Sequence, residues 1–226
     1  MGARGATPPA GDPGSCVIRA SRHVERLLHR LGYRFVVGLD EVGMGPLAGP
    51  VVAAAVVLPV GGGVPAVADS KTLTARMRAR IAARVRRVAV GIGVGLVESH
   101  DVDRMNVFQA GLEAMRRALR GLDGLRPDFA LVDGREIPGL AIPQCAFPGA
   151  DGFVASVAAA SIVAKVERDA IMVRLHEAYP AYGFATHMGY GTPAHLAALE
   201  EHGPSPIHRR SFAPVAFAAT SPTRNS

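Results

Sequence analysis

The chain has 226 residues, 49% of them hydrophobic, with a formal net charge of +6 and a pI near 10.0. That length and apolar content suit one α/β domain with a small appendage, and the basic balance points to a polyanionic partner. The two cysteines, Cys16 and Cys145, show no ligand spacing, which leaves no disulfide framework, and no apolar run reaches the ~18 residues of a membrane span. A cytoplasmic protein with no membrane association is predicted.

Residues 1–15 are rich in Gly, Ala and Pro and read as a disordered tail, and 216–226 read the same way. The domain is predicted over 16–215. A basic helix is expected at 16–31, where apolar residues recur at helical spacing between Arg and His. Residues 35–39 form an apolar run and read as the first strand. Residues 50–59, almost all Val and Ala, read as a second buried strand, antiparallel to the first across a glycine-proline connection. Thr74 offers an N-cap to an arginine-rich helix at 75–87. Val, Ile and Leu alternate with Gly over 88–97, a third strand. A helix follows at 106–122, then strands at 128–132 and 141–147. A long alanine-rich helix is predicted at 152–179, a glycine-punctuated loop at 181–192 and a last helix at 193–201. Three strands first, then helix and strand in alternation, suggest a mixed five-stranded sheet flanked by helices.

Acidic residues gather at the strand ends. Asp40 and Glu41 follow the first strand directly, Asp133 ends the fourth, and Asp151 follows the fifth. Each has an ordinary alternative: surface acids for the pair, an Asp-Gly turn for Asp133, a first-turn helix acid for Asp151. As a set they suggest more. Carboxylates crowded over a sheet repel unless cations sit between them, and two Mg²⁺ or Mn²⁺ ions would organise displacement at a phosphate. Ser161, in an alanine run without a neighbouring base, reads as a helix-packing residue.

Several segments together resemble the type 2 ribonuclease H family, ribonuclease HII. They are Gly38-Leu-Asp-Glu-Val-Gly-Met-Gly-Pro-Leu-Ala-Gly-Pro50, Asp69-Ser-Lys71, Asn106 opening a helix, and Val132-Asp-Gly134. Ala158-Ala-Ala-Ser-Ile-Val-Ala-Lys-Val-Glu-Arg-Asp169 is the most distinctive. Tyr179-Pro-Ala-Tyr-Gly-Phe184, Gly189-Tyr-Gly-Thr192 and His208-Arg-Arg-Ser-Phe212 complete the set. The resemblance implies a ribonuclease H-like fold with a C-terminal helical extension at about 180–215. It implies a metal-dependent endoribonuclease acting on RNA/DNA hybrids and on ribonucleotides embedded in duplex DNA. Cleavage would fall 5′ to the ribonucleotide and leave 3′-hydroxyl and 5′-phosphate ends, in removal of misincorporated ribonucleotides and RNA primers. Asp40, Glu41, Asp133 and Asp151 then correspond to the catalytic, metal-binding carboxylates. Gly43, Met44, Gly45, Lys71 and Tyr190 correspond to nucleic-acid contacts, with the glycine turn reading the 2′-hydroxyl through its backbone. A monomer is expected, and the tail after Val215 shows no sliding-clamp docking pattern.

Three positions depart from the family pattern. Met44 stands where Arg is usual, and Met188 and Gly149 stand where Lys is usual. All three remove a cation near the nucleic-acid path, and Lys71, Arg135, Lys165, Arg209 and Arg210 are candidates to compensate. The alternative is a hybrid- or junction-binding protein that scarcely cuts.

Overall fold

The computed structural model describes residues 20–61 and 73–220. The predicted 1–15 tail and Asp69-Ser-Lys71 lie outside them. Five strands form one sheet in the order β3-β2-β1-β4-β5: β1 Val36–Val42, β2 Val51–Val57, β3 Gly91–Val97, β4 Phe129–Asp133 and β5 Gln144–Phe147. β1 to β3 pair antiparallel, and β1, β4 and β5 pair parallel. The mixed α/β sheet read from the element order is therefore present.

Helices cover both faces, which explains why all seven residues of β2 are buried. Val51, Ala53, Ala55 and Val57 pack toward helix Val107–Arg120, while Ala54 and Val56 pack toward helix Ala155–Ala178. This is the two-residue alternation of a strand. In chain order the helices are α1 His23–Arg30, α2 Ala75–Val88, α3 Ser99–Met105, α4 Val107–Arg120, α5 Ala155–Ala178, α6 Phe184–His187, α7 Pro193–His202 and α8 Ala213–Thr220. Thr74 caps α2 as its sequence suggests, its Oγ1 accepting from the Met77 N–H at 3.3 Å. α5 is buried from Ala155 to Ala164 and crosses β1 so closely that a side chain at Gly38 would strike the Ser156–Val157 backbone.

The structure corrects several boundaries. α1 is shorter than the predicted 16–31 helix. β3 begins at Gly91 because α2 runs on to Val88. The 106–122 helix is preceded by a separate one, α3. Asn106, at φ 69°, breaks the path between them, and its Oδ1 caps α4 by accepting from the Gln109 N–H. α5 starts at Ala155 after a 3-10 turn at Ala150–Gly152. The 181–192 loop contains α6. Residues 216–220 are not a flexible tail: they belong to α8, whose Val215 and Ala218 bury beside Leu199.

The C-terminal helices do not form a detached appendage. Tyr182, Phe184 and Leu199 share a core with Met172 of α5 and with Leu47 and Ala48, just after β1. Two buried histidines close this core. His195 Nδ1–H donates to the Tyr190 carbonyl at 2.9 Å, and its Nε2 accepts from His208 Nε2–H at 3.0 Å. His208 Nδ1 accepts from the Ser205 N–H at 2.9 Å and hydroxyl at 2.7 Å. The chain of bonds is complete only when both rings are neutral. Burial, then the neighbouring His195, holds His208 at about 4, below its ordinary 6.5. A folded value below the unfolded one gives stability that is present above about pH 6.5 and lost as pH falls through 4. The melting temperature of the wild type should therefore fall over this window more steeply than that of His208→Gln. Parallel curves from pH 7 to 4 would contradict the neutral pair.

Candidate active site

Asp40 and Glu41 lie within β1, not beyond it. They pair with Ala54 and Ala53 of β2, whose small side chains leave room beside them. Asp133 is the last residue of β4, on the other side of β1, and Asp151 lies in the 3-10 turn that leads into α5. Since β1 and β4 run parallel, their C-terminal ends deliver the first three acids to one edge of the sheet. All four carboxylates line one pocket, together with Tyr190 and with Ser161 and Lys165 of α5.

The pocket is electrostatically strained. Asp40 is 5% exposed. Burial, then the Glu41 charge, pushes its carboxyl well above the usual range, opposed by a hydrogen bond from the Ser161 hydroxyl. Burial, then the charges of Asp133 and Asp151, pushes Glu41 up to about 7. Glu41 Oε2 and Asp133 Oδ1 are buried without a hydrogen-bond partner among the described residues. Buried carboxylate oxygens that repel one another and lack donors are the chemistry a hard divalent cation satisfies. The acids are spread around the pocket: among the described residues, no three His, Cys, Asp or Glu side chains form a preassembled metal-holding group.

The turn after β1 forms the neighbouring wall. Gly43 has φ 95° and is buried, and a Cβ there would meet the Pro50 carbonyl at 2.8 Å, so only glycine fits. Gly45 is exposed, with the Tyr190 ring beside it. Met44 turns toward Gly111 of α4 and packs on the core, in a second groove that shares Glu41 and Asp133 with the acid pocket and adds Arg135.

The chain matches the family described as Ribonuclease HII over residues 37–215. The chain belongs to the ribonuclease HII family. Ribonuclease HII of Desulfitobacterium hafniense (strain DSM 10664 / DCB-2) is 49% identical over 198 residues, 88% of this chain and 76% of that protein. Ribonuclease HII of Acidovorax sp. (strain JS42) is 51% identical over 191 residues, 83% of this chain and 89% of that protein. The crystal structure of ribonuclease H2 from Pyrococcus horikoshii OT3 superposes with a TM-score of 0.70 at 27% identity, over 82% of this chain and 97% of that one. The ribonuclease H-like fold is thereby shown, and as a ribonuclease HII family member the chain is a ribonuclease, a phosphodiester hydrolase.

Against this family background the cations sort differently from the sequence reading. Lys165 does reach the pocket, where it pairs with Asp169 at 2.5 Å, and Arg78 lines the same rim. Arg135 lies in the neighbouring groove, over the Phe108 ring at 5.4 Å. Arg209 is wholly buried and donates to backbone carbonyls, so it cannot replace a lost phosphate contact. Lys71 lies outside the described residues. Ser161, read as packing, touches Asp40. Its signal in the sequence is a hydroxyl, one of two with Ser156, in an otherwise apolar alanine run on the helix that follows Asp151.

Proposed function

We propose that the protein is a metal-dependent endoribonuclease that cuts 5′ to ribonucleotides in RNA/DNA hybrids and in ribonucleotide-containing duplex DNA, leaving 3′-hydroxyl and 5′-phosphate ends. The observation that carries this is the single pocket in which Asp40, Glu41, Asp133 and Asp151 meet Tyr190, beside the Gly43–Gly45 turn. The four carboxylates are the residues that would hold Mg²⁺ or Mn²⁺. When bound, two such cations supply an activated water and counter-charge for the leaving oxygen. A manganese complex is described for the Bst-RNase HIII structure, whose 21% identity makes it a guide to fold alone.

The chain's own residues do the rest. Ser161 orients the Asp40 carboxylate. The exposed backbone of Gly45 lets a ribose approach, and its 2′-hydroxyl distinguishes RNA from DNA at that point. Tyr190 offers a flat apolar surface to the next sugar. Lys165 and Arg78 supply positive charge at the rim, the contact that makes duplex binding salt-dependent. The reading of a protein that binds but scarcely cuts gains no support from the site, since unneutralised carboxylates would repel the phosphates it must hold.

The biological role that follows is removal of misincorporated ribonucleotides and RNA primers in the cytoplasm, by a monomer. No described helix is long and apolar enough to cross a membrane. A complex with PCNA is described for the Archaeoglobus fulgidus RNase HII, and no clamp partner is proposed for this chain.

The test is a side-by-side assay of a long RNA/DNA hybrid and a duplex with one embedded ribonucleotide, in Mg²⁺, Mn²⁺ and EDTA, from pH 6 to 8. Burial and like charge push the Glu41 carboxyl up to about 7, where proton and cation compete for it, so metal affinity and rate should rise across that range. Cleavage that persists in EDTA, or a rate that falls from pH 6 to 8 at saturating metal, would overturn the proposal.

A further inference from the structure

Arg168 and Arg209 are the two largest fully buried side chains among the described residues. Neither has a carboxylate within ion-pair distance among the described residues; both donate to backbone carbonyls of the turn after β1. Arg209 donates from Nη2 to Gly43 at 2.6 Å, from Nη1 to Met44 at 3.2 Å, and from Nε and Nη2 to Gly49 at 3.1 and 2.9 Å. Arg168 donates from Nε to Pro50 at 3.0 Å, from Nη2 to Ala48 at 3.2 Å and from Nη1 to Met188 at 3.0 Å.

The consequence lies in peptide geometry. No described peptide bond is cis. In a trans peptide the carbonyl and the following N–H point in opposite directions. Turning the Gly43 and Met44 carbonyls onto Arg209 therefore turns the Met44 and Gly45 N–H groups away from it. Neither amide has a hydrogen-bond partner among the described residues. Gly45 is exposed beside the Tyr190 ring, which lines the acid pocket. Arg168 ties the same turn to Met188, two residues before Tyr190. A cation held on a peptide carbonyl also polarises that peptide and makes its N–H a stronger donor.

We propose that Arg168 and Arg209 are positioning residues for ribonucleotide recognition: the two buried guanidiniums hold the 43–50 turn so that its Met44 and Gly45 amides face the substrate. This rests on the reading that the turn meets the ribose. Stability alone does not require such groups, because well-packed apolar residues of similar volume often replace buried charges without loss. What apolar residues cannot do is fix the direction of five carbonyls.

The experiment measures kcat/KM on a duplex with one ribonucleotide, and the inhibition constant of the same sequence as all-DNA duplex. Their ratio reports ribose discrimination independently of general duplex affinity. Arg209→Met is expected to lower kcat/KM by about a hundredfold, as misplaced recognition groups do. Its discrimination should fall by the same factor, because the all-DNA inhibition constant and the calorimetric Mn²⁺ affinity stay near the wild-type values. Arg209→Lys, which keeps the charge and part of the hydrogen bonding, should recover part of the discrimination. If Arg209→Met does not fold, the ratio in Arg209→Lys and Arg168→Lys decides. Folded variants that keep wild-type discrimination, or that lose affinity for both duplexes equally, would overturn the proposal. A wild-type enzyme without ribose discrimination would overturn the underlying reading instead, and would do so before any substitution is made.

Discussion

Asp40→Asn is expected to reduce cleavage by about three orders of magnitude or more while leaving the metal-free protein at least as stable as the wild type. The substitution keeps the shape of the side chain and leaves an oxygen to accept from Ser161. It removes one of four acids crowded into a pocket where burial and like charge push the Asp40 and Glu41 carboxyls upward. In the metal-free state above pH 7, repulsion therefore falls and the melting temperature should hold or rise. On the proposed function the same change removes a cation ligand, so Mn²⁺ affinity should drop with activity. Calorimetry with and without Mn²⁺, beside a cleavage assay, checks all three. A variant that melts lower than wild type without metal would show that Asp40 serves the fold rather than the chemistry. Such opposition between stability and activity is common where charges are clustered for function.

Phe184→Ala carries the largest expected stability loss. Phe184 is fully buried, stacks on Tyr182 at 5.4 Å, and meets the rings of His195 and His208 at 5.4 and 5.6 Å. Truncating a buried phenylalanine costs about 3–5 kcal/mol, partly as lost burial and partly as a cavity. For a chain of this size that lowers the melting temperature by roughly 6–20 °C. The effect should reach the site. Phe184 braces His195, which holds the Tyr190 carbonyl, so ribonucleotide cleavage should fall at temperatures well below the melt. A loss of less than about 1 kcal/mol, or full activity in the folded variant, would show that the C-terminal helices do not support Tyr190.

The strands were legible because each is an apolar run bounded by glycine, proline or charge. β2 announces itself as continuous Val and Ala, the pattern of a strand covered on both faces. The short C-terminal helices were not legible. α6 has only four residues, and what holds it helical is the burial of Phe184 against distant parts of the chain. α3 was hidden because its path to α4 breaks at Asn106, a residue whose left-handed φ cannot be foreseen from periodicity.

The site divides in the same way. Four acids at strand ends are visible one by one, since charge after an apolar run is unusual. Their convergence depends on β4 lying parallel beside β1, which a sequence pattern does not fix. Arg209 shows the reverse limit. In sequence it is one arginine of an adjacent pair and reads as a phosphate contact. Its burial depends on carbonyls more than 150 residues away in the chain.

The proposed function makes the acid pocket and the Gly43–Gly45 turn one ribonucleotide-directed cutting site. The most direct measurement maps cleavage of a DNA duplex carrying a single ribonucleotide, with Mn²⁺ or Mg²⁺, against Asp40→Asn. One cut is predicted, 5′ to the ribonucleotide, with 3′-hydroxyl and 5′-phosphate ends and multiple turnover. Tight binding without turnover, or activity no greater than that of Asp40→Asn under either metal, would contradict it.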